Sequence, residues 1–291
     1  MDRAETYEIR SMTDQDRGDV LDALTAAFAR RFDDNWFDWK HAAGPWGPTL
    51  AWVARDEQGL LGVRMLMPWM FRSGGREYSA LRPCDTVTAE RARGRGVFRR
   101  LTESAMAEVG SNVDLFFNTP NTQSRPGYLK MGFSTWSSVA QRLGLVVPAR
   151  SELGAVTAVG MDTDPAGETM CTDRSEAFFE WRYRRCPWYQ YEIRALANSL
   201  GANGIVFRVR RSHGLRTIVV AEFWGSRAEK RALLKAAAAE MSAHFVWLTE
   251  VHRRSIPISS RWGNTDVTHF KVTREDLPVP IFALGDIEDV L

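Results

Sequence analysis

The stretch Cys84-Asp85-Thr86-Val87-Thr88-Ala89-Glu90-Arg91-Ala92-Arg93-Gly94-Arg95-Gly96-Val97-Phe98 decides the fold. Its first residues close an extended segment, and from Val97 onward the apolar residues Val97, Leu101, Ala105 and Val109 recur at the four-residue step of an amphipathic helix. The pattern is strand, glycine turn, helix. Gly94 and Gly96 let the backbone approach a ligand closely, and the N–H groups of the first helical turn have no intrahelical partner. Such a junction favours an anion. Phosphate or pyrophosphate is the natural guest, because the N–H groups and the positive end of the helix dipole act together. The spacing is not the longer one of a dinucleotide fold or of a nucleoside triphosphate loop.

A second stretch lies downstream. The short apolar strand Asp114-Leu115-Phe116-Phe117-Asn118 leads into Asn121-Thr122-Gln123-Ser124-Arg125-Pro126-Gly127-Tyr128-Leu129-Lys130-Met131-Gly132-Phe133. Together the two stretches resemble the GNAT superfamily of acyl-CoA-dependent N-acyltransferases. Arg91, Gly94 and Gly96 fall on the fixed positions of its pyrophosphate loop, and Asn121, Ser124, Tyr128, Lys130, Gly132 and Phe133 on those of its second motif. The resemblance implies an α+β fold with a mixed sheet. It also implies direct transfer of an acyl group, acetyl in the simplest case, from acyl-CoA to an amine of a small-molecule acceptor.

By the same resemblance the CoA phosphates rest on Arg93, Gly94, Arg95, Gly96, Val97 and Phe98, and a backbone N–H at Val87 or Thr88 polarises the thioester carbonyl. Asn121 and Ser124 hold the CoA arm. Tyr128 is the general acid for the departing thiolate. The ordinary alternatives are a packing tyrosine at 128 and a helix cap at Ser124. The resemblance does not assign the general base. Asp85 is the local candidate, against the plain alternative of a carboxylate paired with a nearby arginine. His41 is the only histidine of the first half, and an ammonium acceptor can also lose its proton through water.

The 291 residues are 44% hydrophobic and 25% charged, a globular composition with room for two cores. A formal net charge of +2 gives no argument for nucleic acid or a membrane surface as partner. Five arginines, Arg91, Arg93, Arg95, Arg99 and Arg100, crowd the glycine turn. They read either as a solvated, RNA-binding patch or, with the turn beneath them, as a rim that attracts the phosphates of CoA. Three scattered cysteines suit neither a disulfide framework nor a zinc site, so no metal is expected. Neither an apolar signal core at Met1–Glu5 nor a bilayer-spanning run is present, and a cytoplasmic monomer or homodimer is the expectation.

Around this centre the first half reads strand (Tyr7 to Arg10), capped helix (from Thr13), a hairpin about Asp56-Glu57-Gln58-Gly59, a further strand ending at Thr88, then the two motif segments. Periodicity fails from Pro148 to Asp173, which sets expected domains at 1–150 and 151–291. Beyond that point the chain echoes itself. Phe37-Asp38-Trp39-Lys40-His41 with Pro45-Trp46 returns as Phe179-Glu180-Trp181-Arg182-Tyr183 with Pro187-Trp188, an offset of 142 (179 minus 37). Ser124, Pro126, Lys130 and Gly132 return as Ser255, Pro257, Arg261 and Gly263, an offset of 131 (255 minus 124), with Ser259 in the place of Tyr128. A hairpin about Ser212-His213-Gly214 and a helix from Ser226 to His244 lie between, and no Gly-x-Gly precedes that helix. The second half therefore reads as a degenerate GNAT-like repeat that lacks the CoA loop and completes the acceptor site. The leading functional class is an N-acyltransferase. A non-catalytic acyl-CoA sensor or scaffold is the alternative from another class, and aminoacyl transfer from tRNA is disfavoured by the intact loop and the low net charge.

Overall fold

The computed structural model describes residues 7–155, 169–197, 203–256, 258–273 and 277–287. In chain order its first elements are β1 (Glu8–Ser11), α1 (Arg17–Phe28), α2 (Asp34–Phe37), β2 (Leu50–Asp56), β3 (Gly59–Ser73), β4 (Arg76–Thr88), α3 (Val97–Val109), β5 (Leu115–Asn118) and α4 (Arg125–Lys130). Then come β6 (Ser134–Leu145), β7 (Leu153–Ala155), β8 (Thr169–Thr172), α5 (Glu176–Phe179), β9 (Glu192–Leu196), β10 (Gly204–Ser212) and β11 (Leu215–Trp224). The last are α6 (Arg227–Met241), β12 (Phe245–Thr249), β13 (Ile258–Lys271), β14 (Val279–Pro280) and α7 (Leu284–Ile287). This is a mixed α+β architecture, as the resemblance implied.

Two compact units emerge. The first comprises Met1–Phe71, Glu77–Thr135 and Thr268–Leu277; the second comprises Arg72–Arg76, Trp136–Val267 and Pro278–Leu291. The chain thus passes between units at Thr135/Trp136, inside β6, whereas the loss of periodicity had pointed to Arg150. The segment 156–168, which carries half of that aperiodic stretch, lies outside the described residues.

In the first unit the strands run β1-β2-β3-β4-β5, followed by the end of β13. Pairing is antiparallel between β1 and β2 and between β2 and β3, parallel between β4 and β5, and antiparallel between β5 and β13. The parallel contact is short. Only Ala80 and Leu81 of β4 pair with Leu115 and Phe116 of β5. Beyond Leu81, β4 runs on to Thr88, while Phe117 and Asn118 of β5 face His269 and Thr268 of β13. A parallel pair that parts in this way leaves one edge of β4 open. The helix α3 lays Val97, Leu101, Ala105 and Val109 on Trp52, Leu66, Leu81 and Phe116, so the four-residue period read in the sequence is the core face of this helix.

In the second unit the order is β13-β6-β12-β11-β10-β9-β7, with β14 paired in parallel to β8 off this path. The hairpin β10/β11 is antiparallel and β11/β12 parallel. Leu233, Leu234, Ala237 and Ala238 of α6 bury against Ile218, Val220 and Val246. This helix opens on a capping box between Ser226 and Glu229 and stops at Ser242, which has left-handed φ of 52°, short of the expected His244. Among the described residues no helix is long and apolar enough to cross a membrane.

The two sequence echoes fare differently. At the first, Asp33 Oδ1 accepts from the N–H of Trp36 at 3.0 Å and Ser175 Oγ from that of Phe178 at 3.3 Å. Each short helix then widens into a π turn, closed by Ala43 N–H to Asp38 O and by Arg185 N–H to Glu180 O, both at 2.9 Å. At the second echo the local structures diverge. Ser124 opens the helix α4, whereas Ser255 closes a 3₁₀ segment and the chain from Ile258 is strand. The pattern shared by Ser124 to Gly132 and Ser255 to Gly263 therefore reports no shared element.

Candidate active site

The site belongs to the first unit and begins at the end of β4. Ala89 N–H bonds Leu61 O at 2.8 Å, one 3₁₀ turn follows over Glu90–Ala92, and the chain then passes through Gly94 and Gly96 at φ of 77° and 75°. These left-handed values are what demand glycine. Gly96 is the N-cap of α3; no side chain caps the helix, and no acid sits in its first turn. A Cβ built on Gly94 or Gly96 meets nothing within 4 Å, so the space above both is open. The helix N-terminus is thus free to receive an anion.

The arginines around it are less uniform than their clustering suggests. Arg91 holds Asp56 through two bonds, at 2.6 and 2.8 Å, and also reaches Gly59 O, so it pins the loop to the β2–β3 turn. The Arg91 guanidinium keeps the Asp56 carboxyl below its ordinary range. Arg99 pairs with Glu103, and Arg100 lies over the Tyr7 ring at 4.6 Å. Arg95 bonds Arg91 O at 3.4 Å. Arg93 is exposed, and among the described residues it engages no hydrogen bond, ion pair or ring.

On the other side of the opening, Asn121 Oδ1 accepts from the N–H groups of Gln123 and Ser124 at 3.0 and 2.9 Å. The capping expected of Ser124 therefore falls to Asn121, an Asx turn, and the Ser124 hydroxyl makes only a 3.5 Å contact to Asn121 O. Gly127 lets α4 close onto α3, since a Cβ there would stand 3.0 Å from the Phe98 ring. That approach seats the buried Tyr128 edge-on to Phe98 at 5.5 Å and to Phe133 at 5.0 Å.

Beneath Tyr128 lies Arg64 of β3, fully buried. Its Nη1 donates to Tyr128 Oη and to Thr86 Oγ1, each at 2.7 Å, and its Nη2 to Thr102 Oγ1 at 2.6 Å. The guanidinium also stands 4.7 Å over the Phe98 ring. Among the described residues Arg64 has no carboxylate partner. Sequence reading gave none of Arg64, Thr86 and Thr102 a role in catalysis or CoA binding. The visible signal was a lone arginine inside the apolar run from Leu60 to Met67.

Asp85 adopts a strained φ of 40°, points into the protein and is buried. Its Oδ2 lies 2.6 Å from Lys40 Nζ and 3.3 Å from His41 Nε2, so its partners are Lys40 and His41 and not one of the loop arginines. His41 Nδ1 in turn meets Thr49 Oγ1 at 3.0 Å. Burial opposes the Asp85 charge, yet Lys40 and His41 outweigh it and hold the carboxyl well below its usual range. Burial pushes His41 down. His41, Cys84 and Asp85 bring donor atoms within 4.8 Å of one another, but the Lys40 ammonium already supplies the positive charge that a metal would bring there.

A parallel strand pair that splays, followed by a glycine turn and an uncapped helix, forms a loop with the geometry to receive an anion. Residues 8–136 match the family model described as an acetyltransferase (GNAT) domain. Solved structures extend the likeness in fold over most of the chain. A GCN5-related N-acetyltransferase from Anabaena variabilis ATCC 29413 aligns at TM-score 0.73 and 12% identity, over 92% of this chain and 73% of its own. One from Kribbella flavida aligns at TM-score 0.64 and 13% identity, over 92% and 71%. Eis1 from Mycobacterium abscessus aligns at TM-score 0.60 and 13% identity, over 92% and 74%. No curated protein sequence matches the chain.

Proposed function

We propose that the first unit transfers an acyl group, acetyl in the simplest case, from acyl-CoA to an amine of a small-molecule acceptor in a reducing cytoplasm. The observation that carries this reading is the Tyr128 hydroxyl. It accepts from Arg64, and its own proton has no acceptor among the described residues. A buried hydroxyl with an unspent proton is a donor awaiting a partner.

The open N-terminus of α3 fits the pyrophosphate of CoA. The N–H groups of Gly94, Gly96, Val97 and Phe98 would cradle it, since those of Arg93 and Arg95 already donate to Glu90 O and Ala92 O; exposed Arg93 would add charge at the rim, and the Asn121 amide and Ser124 would meet the CoA arm. Bound there, acyl-CoA supplies an activated thioester. Alternation along β4 turns the Thr88 N–H away from Leu61, which takes the neighbouring Ala89 N–H, and so toward the open edge. The Thr88 N–H then stabilises the oxygen of the carbonyl under attack, whereas that of Val87 points with Ala89 toward β3, and Tyr128 Oη gives its proton to the leaving sulfur.

Asp85, the other catalytic candidate, is enclosed by Lys40 and His41. In the second unit Tyr183, the counterpart of His41, donates to Glu222 at 2.8 Å. A ring-to-carboxylate bond in both units supports an architectural role for Asp85 and leaves proton removal from the acceptor to water. It also supports reading the second unit as a degenerate copy without a CoA loop.

Acetyl-CoA titrated calorimetrically should bind once per chain, and thiol release against a panel of amines should identify the acceptor class. Tyr128→Phe should leave CoA affinity within about twofold and lower kcat by about 10²-fold. Wild-type kcat in Tyr128→Phe, with chemistry rate-limiting, makes Tyr128 a packing residue and favours an acyl-CoA sensor.

A further inference from the structure

Three hydroxyls surround the Arg64 guanidinium, and their protons can be counted. Thr102 Oγ1 spends its proton on Phe98 O at 2.7 Å and Thr86 Oγ1 on Cys84 O at 3.1 Å. Both are therefore fixed as acceptors toward Arg64. Tyr128 Oη also accepts from Arg64, but its proton has no acceptor among the described residues. Of the three, only Tyr128 can donate outward. A buried cation is normally matched by a carboxylate. Arg64 has none among the described residues, so its charge acts undiminished on the oxygens it touches.

We infer that Arg64 is the positioning residue of the proposed reaction: it occupies one lone pair of Tyr128, aims the remaining O–H, and stabilises the phenolate left after the proton has gone. The inference rests on the reading of Tyr128 as general acid. In the step itself the amine nitrogen bonds the thioester carbon and the C–S bond breaks with its electron pair on sulfur. The Tyr128 O–H proton moves to that sulfur. Arg64 holds the resulting phenolate until it takes up, through solvent, the proton released by the acceptor nitrogen. Protons and charge balance without a further reactant. The two threonines serve the same end, because each holds the guanidinium plane without neutralising it.

Two measurements test this, one of them independent of turnover. The chain has six tyrosines, so ¹³Cζ-tyrosine NMR of the unliganded protein can resolve them, with Tyr128→Phe identifying one resonance by its loss. In Arg64→Gln that resonance should move away from its wild-type chemical shift, while Arg64→Lys should lie between. The second measurement is a double-mutant cycle on thiol release from acetyl-CoA with an amine acceptor. Arg64→Gln should cost about tenfold or more in kcat, and Arg64→Lys less. In the Tyr128→Phe background Arg64→Gln should cost less than about twofold, because the group through which it acts is already gone. Multiplicative losses, or an unmoved resonance in both Arg64 variants, overturn the role of Arg64 and leave Tyr128 standing. Full kcat in Tyr128→Phe overturns the general-acid reading itself. Should Arg64→Gln fail to fold, Arg64→Lys alone decides, by whether its resonance moves and by its non-additivity with Tyr128→Phe.

Discussion

Asp85 illustrates how far single residues can be read. Its position on the strand before the glycine turn was legible, and so was its candidacy as base. Its partners were not, because Lys40 and His41 lie more than forty residues away and reach it only through the π turn after α2. The burial of all three has thermodynamic consequences. Asp85→Asn leaves the Lys40 ammonium buried without its carboxylate and should destabilise the unit by about 3–5 kcal/mol. Removing both charges, as Lys40→Met with Asp85→Leu, should recover much of that loss in a urea titration. The pH dependence has a definite sign. His41, held below its ordinary value by burial, is neutral in the fold at pH values where the unfolded chain takes up a proton. His252 in the second unit, lowered to about 3 mainly by burial, behaves alike. Stability is therefore lost as pH falls below about 6.5, the unfolded histidine value, at up to about 1.4 kcal/mol per pH unit for each proton. Asp85, whose folded value is also depressed, adds a second loss only below about pH 4, where the unfolded carboxyl protonates. Thermal melts should fall between pH 7 and 5, and His41→Gln should flatten that slope; an unchanged slope would show that His41 is not the titrating group.

At the scale of elements, the glycines separate ligand from packing. The amphipathic period of α3, the hairpin β2/β3 and the motif glycines were all legible, since each is a local signal. The π turns were not, and neither was β6, because their stability comes from partners distant in sequence. Gly96 and Gly62 make the contrast measurable. Gly96 has positive φ and open space above it, so Gly96→Ala should cost only the left-handed penalty of about 1–2 kcal/mol, while the methyl intrudes where an anion would sit. Gly62 is the reverse. A Cβ there would stand 2.9 Å from Val87 O and 3.2 Å from Leu101 Cδ1, wedging β3 away from β4 and α3. Gly62→Ala should destabilise by about 1–3 kcal/mol through overpacking. Calorimetry should find CoA affinity down about tenfold or more in Gly96→Ala, a loss of about 1.4 kcal/mol in binding, with the protein still folded and its melting temperature lowered only by the few degrees that the left-handed penalty costs. Equal affinity in Gly96→Ala and wild type would remove the α3 N-terminus from the proposed CoA site.

At the scale of the molecule, the cut near Arg150 expected from the sequence does not coincide with the passage between compact units, which falls at Thr135/Trp136. The first unit takes back Thr268–Leu277 from the far end of the chain, and within it Thr268, His269, Phe270 and Lys271 pair with Asn118, Phe117, Phe116 and Leu115. Thr268 Oγ1 also donates to the buried Asn118 Oδ1 at 2.6 Å, and Phe270 packs on Phe133 at 5.6 Å. No local pattern announces such a return, because β13 reads as one continuous strand whose two ends serve different units. A fragment ending at Arg150 therefore lacks the last strand of its own sheet, and the edge of β5 stands exposed with Phe116 and Phe117 beside it. Such an edge invites aggregation. The 1–150 fragment should be insoluble or molten by near-ultraviolet circular dichroism and should not bind acetyl-CoA. Joining residues 266–278 to it through a flexible Gly/Ser linker should restore a cooperative melt and, with it, a single CoA site. If the 1–150 fragment instead melts cooperatively and binds acetyl-CoA as the full chain does, the returning strand is dispensable and the first unit is complete without it.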